Sequence, residues 1–220
     1  MVGVADRILS AAELTKLKEA GLGILEVRFD LFQEEFGRVL EFTREASAAF
    51  GIIGTLRENS ENKVHLLERY AALCRVSDIV DIEIGTDEPG RSAYIDLIKK
   101  NHKLLMLSHH DFENTPEEKE LLRFINDAGA LSCDFLKLAV LAKTMRDAAR
   151  LMRFTEDQFR AGRRNLTAFA MGPHGAITRI SAGLHGSLFT YGYIHESAAP
   201  GQLSVVELLR LTSMFYPGGA

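Results

Sequence analysis

Charged side chains stand in this sequence where the surrounding pattern calls for apolar ones. Glu26, Arg28 and Asp30 alternate along one apolar run, so an extended backbone puts them on one face. Arg57 closes the next run, Asp81 and Glu83 share a face of the third, and His109, His110 and Asp111 end the fourth. Lys137 lies among Phe135, Leu136, Leu138, Ala139 and Val140. Charges are almost never buried unless paired. Acids, bases and one lysine at such positions therefore read as a site.

Lys137 is the most informative of them. An ammonium in apolar surroundings is poorly solvated, so its pKa is expected to fall. An uncharged lysine is a nucleophile and forms a Schiff base with a ketone. The residues also allow a structural lysine paired with Glu83 or Asp81. His110 has two readings as well. Its ordinary pKa suits a general acid–base, or it joins His109, Asp81 and Glu83 around a metal. Adjacent strand residues face opposite ways, which makes the second reading awkward. Gly172-Pro-His-Gly175 is a phosphate cradle or an ordinary turn. Arg179 shortly after it suits bidentate capture of a carboxylate or phosphate, or is a surface arginine. Residues 197–202, small and with a Pro-Gly step, read as a mobile lid or a plain loop.

The elements that must hold these residues follow from the hydrophobic pattern. Strand-length apolar runs occupy residues 23–30, 52–57, 79–84, 103–108, 135–140, 166–171 and 188–191. Amphipathic stretches such as 34–50, 61–76, 116–130 and 142–154 lie between them. Residues 2–5 offer a weaker first strand, and 10–20 a helix opened by Ser10 and Glu13 as a capping box. Strand–helix alternation means βαβ units and a parallel sheet. Eight such units in 220 residues predict a single (β/α)8 TIM barrel domain over 1–220. An open doubly wound sheet is the alternative, but no G-x-G-x-x-G follows the first strand. In a barrel the site collects at the C-terminal ends of the strands.

Composition narrows the function. Hydrophobic residues make up 46% and charged residues 25%, which excludes bulk disorder. Net charge is −4, from 26 basic and 30 acidic residues, so the basic excess of a nucleic-acid binder is missing. No window reaches the ~20 apolar residues of a membrane span, and Asp6 and Arg7 interrupt any signal peptide. Cys74 and Cys133 have no C-x-x-C spacing; both are expected as reduced core residues of a cytoplasmic protein.

Taken in order, these residues resemble the type I 3-dehydroquinate dehydratases. The matching pieces are Glu26-x-Arg28-x-Asp30, Thr55-x-Arg57 with Glu61, Asp81-x-Glu83, Ser108-x-His110-Asp-Phe112 with Thr115-Pro116, and Lys137-Leu-Ala-Val. Met171-Gly172, Arg179, Gly186-Ser187 and Ala199-Pro-Gly-Gln202 complete the set. The resemblance implies a (β/α)8 barrel, a homodimer, no cofactor and no metal. It implies syn loss of water from 3-dehydroquinate to give 3-dehydroshikimate, in the shikimate pathway to aromatic amino acids. Lys137 would form the imine, and His110 would be the acid–base, oriented by Glu61. Arg179 would grip the substrate carboxylate. Glu26, Arg28, Arg57 and Gln202 would hold the ring hydroxyls, with Met171 and Tyr191 packed on the ring or imine. One departure is Ala198, where the family often has a lid serine; Ser197 or a backbone amide stands near enough in sequence to replace it. Other readings are a class I aldolase, a metal-assisted hydrolase and a catalytically silent ligand-binding barrel.

Overall fold

The computed structural model describes residues 1–59, 63–197 and 199–216. Strands and helices alternate along it: β1 (Val2–Ala5), α1 (Ala11–Glu19), β2 (Ile24–Arg28), α2 (Phe36–Ala46), β3 (Gly51–Thr55), α3 (Leu66–Leu73), β4 (Ile79–Glu83) and α4 (Gly90–Lys100). The order continues with β5 (Leu104–Asp111), α5 (Glu118–Ala130), β6 (Phe135–Leu141), α6 (Met145–Arg160), β7 (Leu166–Met171), α7 (Thr178–Ser181), β8 (Tyr191–Tyr193) and α8 (Val205–Phe215). The chain divides into two compact halves, residues 2–106 and 107–220, with Met1 grouped with the second. The division falls within β5.

In the first half, β1 to β4 lie side by side in chain order and pair in parallel. Such strands need cover on both faces, and they read as continuous apolar runs for that reason. Register then fixes what shares a row. Arg28 lies level with Thr55, and Thr55 with Asp81. Glu26 and Glu83 lie two residues from members of that row and so belong to the same face, whereas Arg57 follows the end of β3, two residues short of the expected strand end.

In the second half, β6 and β7 pair in parallel, with Lys137 level with Thr167, Ala139 with Phe169, and Leu141 with Met171. All six residues of β7 are buried. Helix starts follow the local sequence. Ser10 with Glu13, Thr144 with Asp147 and Ser204 with Glu207 form reciprocal caps that satisfy otherwise orphaned N–H groups.

Two expectations need correction. The last strand is 191–193, not 188–191. Leu188 is largely exposed, and Phe189 donates to the Thr167 hydroxyl instead of joining a ladder. Cys74 is buried and free, but Cys133 is only half-buried. No helix among the described residues is long and apolar enough to cross a membrane.

Candidate active site

The first half carries a row of paired charges. Glu26 is buried on β2 and accepts a 2.9 Å hydrogen bond from the Thr55 hydroxyl. Arg28 grips Asp30 with two bonds, Nε to Oδ1 at 3.1 Å and Nη2 to Oδ2 at 2.6 Å. Burial opposes the Arg28 charge, but Asp30 and then Glu26 hold its pKa above the ordinary arginine value. Arg57 donates to Asp81 Oδ2 at 2.9 Å and to the Asp81 carbonyl at 3.3 Å, and its Nε lies 3.7 Å from Glu83. Burial again works against this charge; Asp81 first and Glu83 next overcome it and raise the pKa. The backbone before Arg57 is pinned by the Tyr70 hydroxyl, which donates to the Leu56 carbonyl at 2.8 Å.

The second half has the opposite character. Lys137 is 5% exposed, and its Nζ lies 4.1 Å from the Tyr191 ring centroid. An ammonium over an aromatic face gains ~0.5–2 kcal/mol, more as water is excluded. Tyr191 packs against Phe169 at 5.5 Å, and the Arg179 guanidinium lies 4.5 Å from the Phe169 ring. Arg179 Nη1 donates to the Tyr191 carbonyl at 3.2 Å. Its Nε is buried without a hydrogen-bond partner, and among the described residues no carboxylate pairs with it. Desolvation therefore pushes its pKa down to about 10. The surface-arginine reading fails, since Arg179 is 1% exposed.

Local chemistry explains how Arg179 gets there. Gly172 takes a left-handed backbone (φ +83°), which lets the chain turn sharply off β7. The amides of Gly175 and Ala176 donate to the Gly172 carbonyl, and Gly172 donates to Pro200. Those amides are occupied, so this loop is no phosphate cradle. Thr178 then ties α7 to β7 by accepting from the Ala170 amide at 2.7 Å.

His110 sits half-buried near the end of β5. The two histidines part as strand geometry requires: His109 stacks on Phe124 of α5 at 3.9 Å, while His110 lies beside Phe112 at 6.3 Å. Asp111 accepts from the Glu113 and Asn114 amides and turns the chain. Asn114 and Thr115 then bond to Leu141 at the end of β6. His110 is thereby stitched to the C-terminal end of the strand that bears Lys137. No group of three or more His, Cys, Asp or Glu side chains among the described residues is placed to hold a metal ion.

The segment after β8 packs down onto β7. Pro200 accepts from Gly172, and Gly201 (φ +71°) lies so close that a Cβ there would collide with the Gly172 carbonyl. Ser197 donates its hydroxyl to the Ala199 carbonyl at 2.8 Å. Gln202 follows, its amide bonded to Ala199. Met171 is buried at the end of β7. Glu61 lies outside the described residues.

Sequence reasoning missed one participant and misread another's partner. Phe169 passes for an ordinary core residue; its signal is that it shares a face with Thr167 and Met171. Asp81 was legible as a misplaced charge, but not as the partner of Arg57.

The chain matches the family described as Type I 3-dehydroquinase over residues 2–217. The chain belongs to the type I 3-dehydroquinase family. A 3-dehydroquinate dehydratase of Methanococcoides burtonii is 34% identical over 212 residues, covering 89% of this chain and 86% of that one. The crystal structure of the 3-dehydroquinate dehydratase from Geobacillus kaustophilus superposes with a TM-score of 0.82 at 26% identity, over 100% of this chain and 92% of that one. The Aquifex aeolicus enzyme gives a TM-score of 0.80 at 27% identity, over 98% and 99%. The fold is the (β/α)8 barrel of these enzymes. The family's reaction comes with it: a hydro-lyase step of the shikimate pathway, from 3-dehydroquinate to 3-dehydroshikimate.

For this type I 3-dehydroquinase, Gly201 offers a direct test of the docked segment. Gly201→Ala strains a left-handed position by ~1–3 kcal/mol and pushes the segment off Gly172. The KM for 3-dehydroquinate is expected to rise about tenfold, with a melting temperature lowered by several degrees at most. An unchanged KM would show that the segment has no part in binding.

Proposed function

We propose that residues 1–220 form one catalytic barrel domain that dehydrates 3-dehydroquinate through an imine on Lys137. The observation that carries this is the buried Lys137 ammonium on the face of Tyr191, whose carbonyl holds Arg179. The lysine nitrogen adds to the substrate ketone and water leaves, giving a protonated imine. That imine is a better electron sink than a carbonyl. His110 takes the α-proton, and the electron pair moves to the nitrogen as an enamine. The enamine then expels the β-hydroxyl, which leaves as water with the proton from His110. Hydrolysis of the product imine returns the lysine. One base serves both proton transfers only if proton and hydroxyl leave from the same face, which makes the elimination syn. Acid–base placement of this kind contributes ~10²–10⁴-fold.

Charge distribution supports the assignment of the binding groups. Arg28 and Arg57 already face carboxylates, so they suit neutral ring hydroxyls, together with Glu26 and Gln202. Arg179 has no carboxylate partner among the described residues, and a substrate carboxylate supplies one. Met171 and Tyr191 pack on the ring or imine. Ser197 has spent its proton on Ala199, so it serves as an acceptor for a substrate hydroxyl. Glu61 is assigned to orient His110 on the family resemblance alone. The same resemblance supports a cytoplasmic homodimer that binds neither nucleic acid nor membrane, and uses neither cofactor nor metal.

Two sets of variants test this. Lys137→Ala is expected to fold and to lose turnover by several orders of magnitude. His110→Ala is expected to accumulate the imine, visible as an intact-mass adduct after reduction, without releasing product. Substantial turnover in either variant would contradict the role given to that residue. Arg179→Met replaces a buried charge that meets no carboxylate among the described residues by an apolar chain of similar reach. It should melt no lower than the parent, while kcat/KM falls by ~2–5 kcal/mol in transition-state terms. A marked loss of stability with unchanged kcat/KM would make Arg179 structural.

A further inference from the structure

Asp81 is one of the most completely buried charged residues of the first half, with a fully inaccessible side chain. It receives Arg57 in two ways at once, on its carboxylate at 2.9 Å and on its own carbonyl at 3.3 Å. Glu83, two residues along and on the same face, approaches the third nitrogen at 3.7 Å. Two nitrogens of the guanidinium thus donate to Asp81, and the third faces the Glu83 carboxylate of the same strand. Arg57 itself lies beyond the last residue of β3, where no ladder fixes its backbone. It also borders a cleft of about 320 Å³ lined by Glu58, Glu83, Thr86 and Asp87, among others. An arginine released from Asp81 has other acids to turn toward in that cleft.

We infer that Asp81 is a positioning residue for the reaction: it holds Arg57 in the orientation that meets the substrate. The inference rests on the substrate-binding role given to Arg57 above. A buried carboxylate is costly, by several kcal/mol per ion, unless geometry and hydrogen bonds offset it. Here the offset comes from a guanidinium that has its own work to do. Thr55, level with Asp81, gives its hydroxyl to Glu26 of β2, which leaves Asp81 to Arg57.

The test is a pair of double-mutant cycles on the full chain with 3-dehydroquinate as substrate: Asp81→Asn, Asp81→Ala, Arg57→Ala, Asp81→Asn/Arg57→Ala and Asp81→Ala/Arg57→Ala. Asp81→Asn keeps the shape and removes only the charge, so it carries the experiment if the alanine variant fails to fold. Misplacement of a binding group by about an ångström costs up to ~10²-fold. We expect each Asp81 variant to raise KM by roughly tenfold or more, with a smaller change in kcat. In the Arg57→Ala background, Asp81→Ala or Asp81→Asn is expected to add no further loss. The yield of borohydride-trapped adduct on Lys137 at saturating substrate should stay at the parent level. Fully additive losses, or an Asp81→Asn enzyme with parental KM while Arg57→Ala is impaired, would overturn the inference alone. An Arg57→Ala enzyme with parental kcat/KM would overturn the role of Arg57, and this inference with it.

Discussion

The Lys137 ammonium lies 4.1 Å from the centre of the Tyr191 ring, on a strand whose other interior residues are all buried. A charge in such a place must be met by something, because water is excluded. Tyr191 meets it with the negative face of its ring. Its backbone carbonyl meets the second buried cation, Arg179, and Phe169 packs against both Tyr191 and the Arg179 guanidinium. Much of the second half serves this arrangement. The left-handed Gly172 turns the chain, Thr178 clips α7 to β7, and the segment around Gly201 closes down on Gly172.

The two halves divide the electrostatic work. In the first, arginines are matched by acids from the same or the next strand, so their charges are kept and their reach is fixed. In the second, Arg179 keeps a polar nitrogen with no partner. Dehydration by an imine adds one demand, a lysine nitrogen placed to attack the substrate ketone.

The barrel was legible because buried parallel strands announce themselves as short apolar runs. The β2, β4 and β7 segments lie within or coincide with the expected stretches. The Ser10–Glu13 cap was legible for the same local reason. Chemistry showed as charge in those runs: Glu26, Arg28, Asp81 and Lys137 are all on strands. What failed was anything decided by partners distant in sequence. Residues 188–190 have strand-like composition, but their hydrogen-bonding groups are taken by Leu166, Thr167 and Arg179. The glycines at 172 and 175 resembled an anion loop until their amides were found bonded within the chain. Phe169 carried no polar signal at all, so only the register with Ala139 reveals its place beside Tyr191.

The most direct test of the account is reductive trapping of the unaltered protein. It is incubated with 3-dehydroquinate, reduced with borohydride, and digested for peptide masses, beside an untrapped control followed by absorbance. The account predicts a stable adduct on the peptide containing Lys137, and the absorbing enone product in the control. Product formed by folded protein with no adduct, or an adduct mapped to another lysine, would contradict imine catalysis at Lys137.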